Sequence, residues 1–376
     1  MKLLFASDSF KGSLSSDDTA RLLTKAAEEV FPGCMVKALP MADGGEGTAE
    51  AVIRARGGER VEVHLHGPLM EEETGFYGMI SEDEAILEMA SASGLPLLAE
   101  SDRDPLKTTT YGTGELFRAV LNSGVSKITM AIGGSATNDG GMGFARAIGI
   151  KFLDSDGREL DGRGEDLGKV AEIDISGLDP RVRDVSVTVM CDVTNPLCGP
   201  DGATMTFGGQ KGGSAEALEL LEQGMKNYRD VINRKFGVDP DTIPGSGAAG
   251  GLGAALSVFV GAEMRSGIDT VLDLVEFDRY LKDADLVVTG EGRTDWQSSF
   301  GKVLQGVGDR AKEHGVPAVA LCGSLGPGYE KIYDHGILSL MTTVDAPMTL
   351  SQALENAEPL YYKAAIRLFR MIKVAK

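Results

Sequence analysis

The chain has 376 residues, 42% hydrophobic and 25% charged, which exceeds one ordinary core and leads us to expect two domains. Its formal net charge of −19 leaves no overall basic surface for nucleic acid, so phosphate ligands would be met by backbone N–H groups, a few placed cations or a metal ion. No window approaches the ~18 apolar residues of a membrane span, and the opening "MKLLFASDSF" is too short for a secretory signal, so a cytoplasmic protein without membrane partners is expected.

Strand-like and helical patterns then alternate along the chain. "KLLFAS" (residues 2–7) is an apolar strand that runs into Asp8. Ser15 and Asp18 form a capping-box pattern before a helix with Ala20, Leu23, Ala27 and Val30 on one face, stopped by Pro32-Gly33. "VKALPMAD" is the next strand and ends at Asp43, completing a β-α-β unit. The texture changes after that. "RVEVHLHGPL" and "EETGFYGMI" read as antiparallel strands, and "KITMAIGG", "IKFLDSDG" and "DVSVTVMCDV" add strands among glycine-rich loops. Later "DLVVTGEGRTD", "PAVALCGS" and "ILSLMTTVD" restore the α/β rhythm, and residues 351–376 form an amphipathic helix. The expected fold is α/β: a doubly wound Rossmann-like domain from both chain ends (1–65 and 276–376), with an inserted α+β domain (66–275) containing a mixed sheet.

Glycine is over-represented, with 50 residues against a usual ~7%, and clusters in short loops beside apolar runs, where backbone approaches a ligand or takes positive φ. Acidic residues stand at expected strand ends: Asp8, Asp43, Asp192, Glu291, Asp295 and Asp345. Carboxylates gathered at the carboxyl edge of a parallel sheet point to Mg²⁺ or to a proton in transit. Lys11, Arg293, Lys302 and Lys211 are the nearby cations, each in a loop that could reach a phosphate. The loop "IGGSATNDGG" looks like a phosphate loop, yet its only charge is Asp139. Ser135, Thr137 and Asn138 offer it neutral donors, with Thr137 or Asn138 as the expected cap of the next helix. "GSGAAG" matches G-x-G-x-x-G but lacks the preceding strand of a dinucleotide site. His64 and His66 have no third ligand nearby and read as structural, and the four cysteines form no C-x-x-C pair.

Taken in order, "DSFKGSLS", "LPMADGGEGT", "IGGSATNDGG", "CDVTNPLCGPDGA", "FGGQKGG", "GSGAAGGLGAAL" and "TGEGRTDWQS" resemble the loops of the glycerate kinase family. Ser7 and Trp296 depart from the family pattern without removing a charged group. The resemblance implies two α/β domains with a cleft between them, and Mg²⁺-assisted phosphoryl transfer from ATP to D-glycerate, giving 2-phosphoglycerate. Within that reading Asp192 is the expected general base, and Lys11 and Arg293 contact phosphate or carboxylate. Asp8, Ser9, Gly44, Gly45, Gly133, Gly134, Ser135, Asn138, Asn195, Gly247 and Glu291 are expected to bind substrate or phosphate. Asp43 and Asp295 are the expected metal ligands. The residues by themselves also admit a kinase of another small hydroxy acid, or a non-catalytic two-domain metabolite sensor.

Overall fold

The computed structural model describes residues 1–42, 44–45 and 47–374, so Asp43 lies outside the described residues. In chain order the strands are β1 (Lys2–Ser7), β2 (Met35–Ala38), β3 (Glu59–His66), β4 (Glu72–Met79), β5 (Glu84–Glu88), β6 (Lys127–Ala131), β7 (Lys151–Leu153) and β8 (Glu172–Asp174). They continue with β9 (Ser186–Met190), β10 (Glu263–Arg265), β11 (Leu286–Gly290), β12 (Arg293–Thr294), β13 (Ala318–Cys322), β14 (Ser324–Leu325) and β15 (Ile337–Thr342).

The chain divides into two compact units, Met1–Asp43 with Glu50–Gly57 and Gly267–Lys376, and Gly44–Ala49 with Gly58–Ser266. These limits differ from the expected ranges at both junctions, for local reasons. β3 pairs along its whole length with β4, which ties residues 59–66 to the second unit. The helix Gly267–Leu274 goes with the first, because Gly306 has no Cβ to keep Ile268 and Leu272 away from the helix Val303–Glu313.

The first unit is built on a five-stranded sheet of order β15-β13-β11-β1-β2, parallel throughout. β1 and β11 are buried almost end to end, as expected of parallel strands covered on both faces. The helix Ser16–Val30 starts at the predicted capping box, with Ser15 Oγ accepting from Asp18 N–H at 3.1 Å. Its apolar face, Leu22, Leu23, Ala26, Ala27 and Val30, packs with Tyr361, Ala365 and Phe369 of the last helix over Leu3 and Phe5. The C-terminal segment is two helices, Leu350–Glu355 and Ala357–Val374, rather than the single one expected. Chain order moves one way from β1 to β2 and the other way from β1 through β11 to β13 and β15. The topological switch point therefore lies between β1 and β11.

The second unit is built on a six-stranded mixed sheet of order β10-β9-β6-β5-β4-β3. β5, β6, β9 and β10 run parallel, while β3 and β4 are antiparallel additions. Val187 and Val189 of β9 are buried in the core with Ile128, Met130, Leu116 and Phe117, and Val185 and Cys191 pack at its margin. That alternation sends the side chain of Asp192 to the opposite face. The carboxyl ends of β5, β6 and β9 deliver Glu88, the loop 132–141 and the loop 191–203 to one edge of this sheet. Among the described residues no helix is long and apolar enough to cross a membrane, and all four cysteines are unpaired.

Candidate active site

In the first unit a cavity of ≈ 520 Å³ opens at the switch point. Asp8, Ser9 and Lys11 reach it from the end of β1, and Glu291, Arg293 and Lys302 from the segment after β11. Five residues from two separate sequence motifs, with Lys302 just beyond the second, thus line one cavity, as expected for a ligand site of an open α/β sheet. Asp8 N–H donates to Gly290 O at 2.9 Å and its Oδ1 accepts Ser9 N–H at 2.6 Å, which fixes the turn out of β1.

Glu291 is the unusual member. It is 7% exposed, and its Oε1 is buried without a hydrogen-bond partner among the described residues. Burial pushes its carboxyl above the ordinary glutamate value, while Ser298, Thr294 and the Lys302 ammonium pull it back. A carboxyl raised by folding stays protonated to higher pH in the native state than in the unfolded chain. Stability therefore falls as pH rises through the window between the two values. Glu291→Gln removes that penalty. Its thermal midpoint at pH 7 is expected to exceed the unsubstituted protein's, and the two should converge at acid pH, where the carboxyl is protonated in both folded and unfolded chains. An unchanged or lower midpoint at pH 7 would mean that Lys302 and Arg293 already compensate the charge.

Asp295, expected at a metal, is placed as the cap of the short helix Trp296–Ser299. Its Oδ1 accepts Gln297 N–H at 3.0 Å, and its Oδ2 lies 3.6 Å from Arg293 Nε. Among the described residues no group of three or more acids, histidines or cysteines is arranged to hold a metal ion. Asp345 pairs with Arg367 at 3.8 Å, and Trp296 is half exposed against Phe300.

In the second unit, Gly133 lies against Gly44 and Gly45, close enough that a Cβ would sit 3.2 Å from Gly45 Cα. The loop 44–49 is held there by buried Glu88, whose carboxylate accepts Ala49 N–H at 2.5 Å and Gly47 N–H at 3.2 Å at the start of the helix Thr48–Arg56. Gly134 is exposed with φ 75°, Gly133 is half-buried, and Ser135 is buried beside them. The outer half of the loop thus stays at the edge, and the inner half turns into the core. Asn138 is fully buried and donates through Nδ2 to Thr204 Oγ1 at 2.9 Å.

Neither Thr137 nor Asn138 caps the following helix, Met142–Ala147; that expectation is corrected by the position of Asp139. Asp139 is fully buried, and its carboxylate accepts from Thr110 N–H (2.7 Å), Thr110 Oγ1–H (2.8 Å), Gly141 N–H (2.9 Å) and Gly143 N–H (3.1 Å). It is the cap. Burial pushes its pKa up and these hydrogen bonds pull it back. Lys211, read from sequence as a loop lysine, is 1% exposed and donates to Thr137 O at 2.6 Å, with its ammonium pushed down to about 7 by burial and held up by Asp139. The loop that seemed to lack a cation has one beneath it.

Asp192 is exposed at the end of β9. Asn195 and Gly247 meet each other: Gly247 N–H donates to Asn195 O at 3.0 Å, Asn195 Nδ2 donates to Asp201 O at 2.7 Å, and a Cβ at Gly247 would collide with Pro196 O. They brace the loop behind Asp192. "GSGAAG" forms no dinucleotide turn; Ala249, Gly250 and Gly251 take left-handed backbone, with Gly250 against Thr137 and Asn138 and Gly251 against Gly140. His66 faces Glu115 at 3.0 Å and His64 faces Thr74, in agreement with structural roles.

Sequence reasoning missed the far wall of the first unit's cavity, made by Val344, Met348, Leu350 and Leu354. The spacing of Leu350 and Leu354, one helical turn apart behind the Thr349–Gln352 capping box, was the available signal.

Strand-end loops rich in glycine, a cation-lined cavity at a switch point and carboxylates at both sheet edges define a two-unit α/β phosphotransferase. The family model described as the glycerate kinase family matches residues 3–373. The chain is 43% identical to a glycerate kinase of Bacillus subtilis (strain 168), covering 100% of this chain and 99% of that one. It is 44% identical to the glycerate 2-kinase of Escherichia coli (strain K12), over 95% and 94% of the two chains. A crystal structure assigned to glycerate kinase 2 from Salmonella typhimurium LT2 superposes with a TM-score of 0.91 at 42% identity, covering 100% and 99%. The chain belongs to the glycerate kinase family.

Proposed function

We propose that this protein is a cytoplasmic enzyme that transfers the γ-phosphoryl group of ATP, with Mg²⁺, to the 2-hydroxyl of D-glycerate. The observation that carries the reading is the first unit's cavity, where Lys11, Arg293 and Lys302 converge beside Asp8 and Glu291 at the carboxyl ends of β1 and β11. Phosphoryl transfer is positioning plus neutralisation of charge on the non-bridging oxygens. Lys11 and Arg293 supply that neutralisation, and Asp8, Ser9 and Glu291 orient the groups they hold. Gly44, Gly45, Gly133, Gly134 and Ser135 offer backbone and hydroxyl donors to an anion, on a loop whose geometry Asn138, Asp139 and Lys211 set. Asn195 and Gly247 position the loop that carries Asp192, and Asp192 accepts the hydroxyl proton.

Mg²⁺ needs only one or two protein carboxylates when a polyphosphate completes its shell. Asp43 and Asp295 are the proposed ligands; Asp295 has one oxygen engaged in its cap and one beside Arg293. The ion would neutralise phosphate charge. The name of the Escherichia coli relative supports the 2-position.

Purified protein given ATP, Mg²⁺ and D-glycerate should release ADP, with lactate, tartronate and glycerol as comparison acceptors, and a phosphorus NMR spectrum should identify 2-phosphoglycerate. Turnover of another acceptor in preference to glycerate, or a 3-phosphorylated product, would overturn the reading.

A further inference from the structure

The cavity of the first unit is much longer than its cationic end. It extends along the carboxyl edge of the sheet from Asp8 after β1, past Glu291 after β11 and Gly323 and Ser324 after β13, to Thr343 and Val344 after β15. Four adjacent strands spaced about 4.8 Å apart give that edge a length of about 14 Å. Its two ends differ in chemistry. The β1–β11 end holds Asp8, Lys11, Glu291, Arg293 and Lys302, and the β15 end is walled by Val344, Met348, Leu350, Ala353 and Leu354. Leu350 is 75% exposed and Leu354 39% exposed, two large apolar side chains on one face of the helix Leu350–Glu355, turned to a cavity rather than into the core.

Glycerate cannot account for that wall. It carries a carboxylate and two hydroxyls and has almost no apolar surface to bury. A nucleoside triphosphate has both chemistries at the right separation: anionic phosphates at one end and a flat, weakly polar base at the other.

We infer that the first unit holds the nucleotide, with the adenine base against Val344, Met348, Leu350 and Leu354 and the phosphates directed to Lys11, Arg293 and Lys302. This rests on the ATP-dependent reading above and adds to it which unit carries the nucleotide and where its base lies. Leu350 and Leu354 are specificity residues in this assignment. They touch the base and no reacting atom.

Two measurements test it on the full chain. In steady-state kinetics, Leu354→Glu and Leu350→Glu place a carboxylate against the base, and each is expected to raise KM for ATP at least 10-fold. KM for glycerate and kcat at saturating ATP should stay within about 3-fold, and Leu354→Met should restore KM for ATP. Because both side chains are exposed, folding is expected to survive, and an unchanged thermal midpoint checks this. An unchanged KM for ATP in both folded variants overturns the assignment. In the second measurement, 8-azidoadenosine triphosphate is photolysed with the unsubstituted protein and the adduct is mapped. Labelling within residues 343–357 supports the site even if no glycerate is phosphorylated, so failure of the catalytic reading is separable from failure of this one. Labelling confined to residues 58–266, or none at all, overturns it.

Discussion

Asp192→Asn is expected to lower kcat by about 10²–10⁴, the range for loss of a general base, while KM for ATP and for glycerate stays within a few-fold. On the proposed mechanism, asparagine keeps the shape of the side chain but cannot accept the proton that the acceptor hydroxyl loses as its oxygen bonds to phosphorus. Folding should be retained, since Asp192 is exposed beyond the last paired residue of β9, and an unchanged thermal midpoint checks this. The comparison that gives the result its meaning is Glu291→Gln. Glu291 is the buried carboxylate of the first unit's cavity, with its Oε1 unpartnered among the described residues and the Lys302 ammonium nearby, which suits it to orienting charge. Retention of near-full kcat by Asp192→Asn, with collapse in Glu291→Gln, would move the base to the first unit.

The largest loss of stability is expected from Asp139→Ala, about 3–5 kcal/mol, read as a lower denaturation midpoint of the second unit. Three buried backbone N–H groups, those of Thr110, Gly141 and Gly143, lose their acceptor together, and each orphaned donor costs about 1–3 kcal/mol. The losses are not additive because the three share one carboxylate. Asp139→Asn should recover only part, because its amide nitrogen turns a donor toward donors. A loss below about 1 kcal/mol for Asp139→Ala would show that the loop keeps its shape without the carboxylate. Lys211 meets the same loop at Thr137 O, so a Lys211→Met change should couple to Asp139 substitutions rather than add to them.

Residues whose position follows from chain direction were legible in the sequence. Asp8 and Glu291 stand immediately after apolar runs that form parallel strands, and Arg293 follows within three residues, at the edge where such sheets place ligands. The capping box at Ser15 was legible because it is local. What depends on long-range burial was not. "GGQKGG" reads as an exposed loop, and only the packing around Lys211 turns its ammonium inward. Asp139 stands in the sequence only as its loop's single charge, because its partner Thr110 lies 29 residues away. Gly44 and Gly45 read as part of the first domain, until Glu88, about 40 residues later, draws the start of their helix to the second sheet. The fold was more legible than the site because period and direction survive in sequence, whereas burial of a charge is decided by segments far apart.

The position of β11 between β1 and β13 governs the order in which the chain can fold as it leaves the ribosome. β1 can pair with β2 early, but its other edge waits for residues 286–290, which are made only after all of Gly58–Ser266. Among the described residues, every strand of the second sheet is complete by Arg265. The inserted unit is therefore free to condense first. Its closure also shortens the effective loop that must be closed to bring β11 to β1, lowering the entropy that this late pairing has to overcome. Until then the apolar edge "KLLFAS" has an open side, so the nascent chain is most prone to aggregate between synthesis of β2 and synthesis of β11.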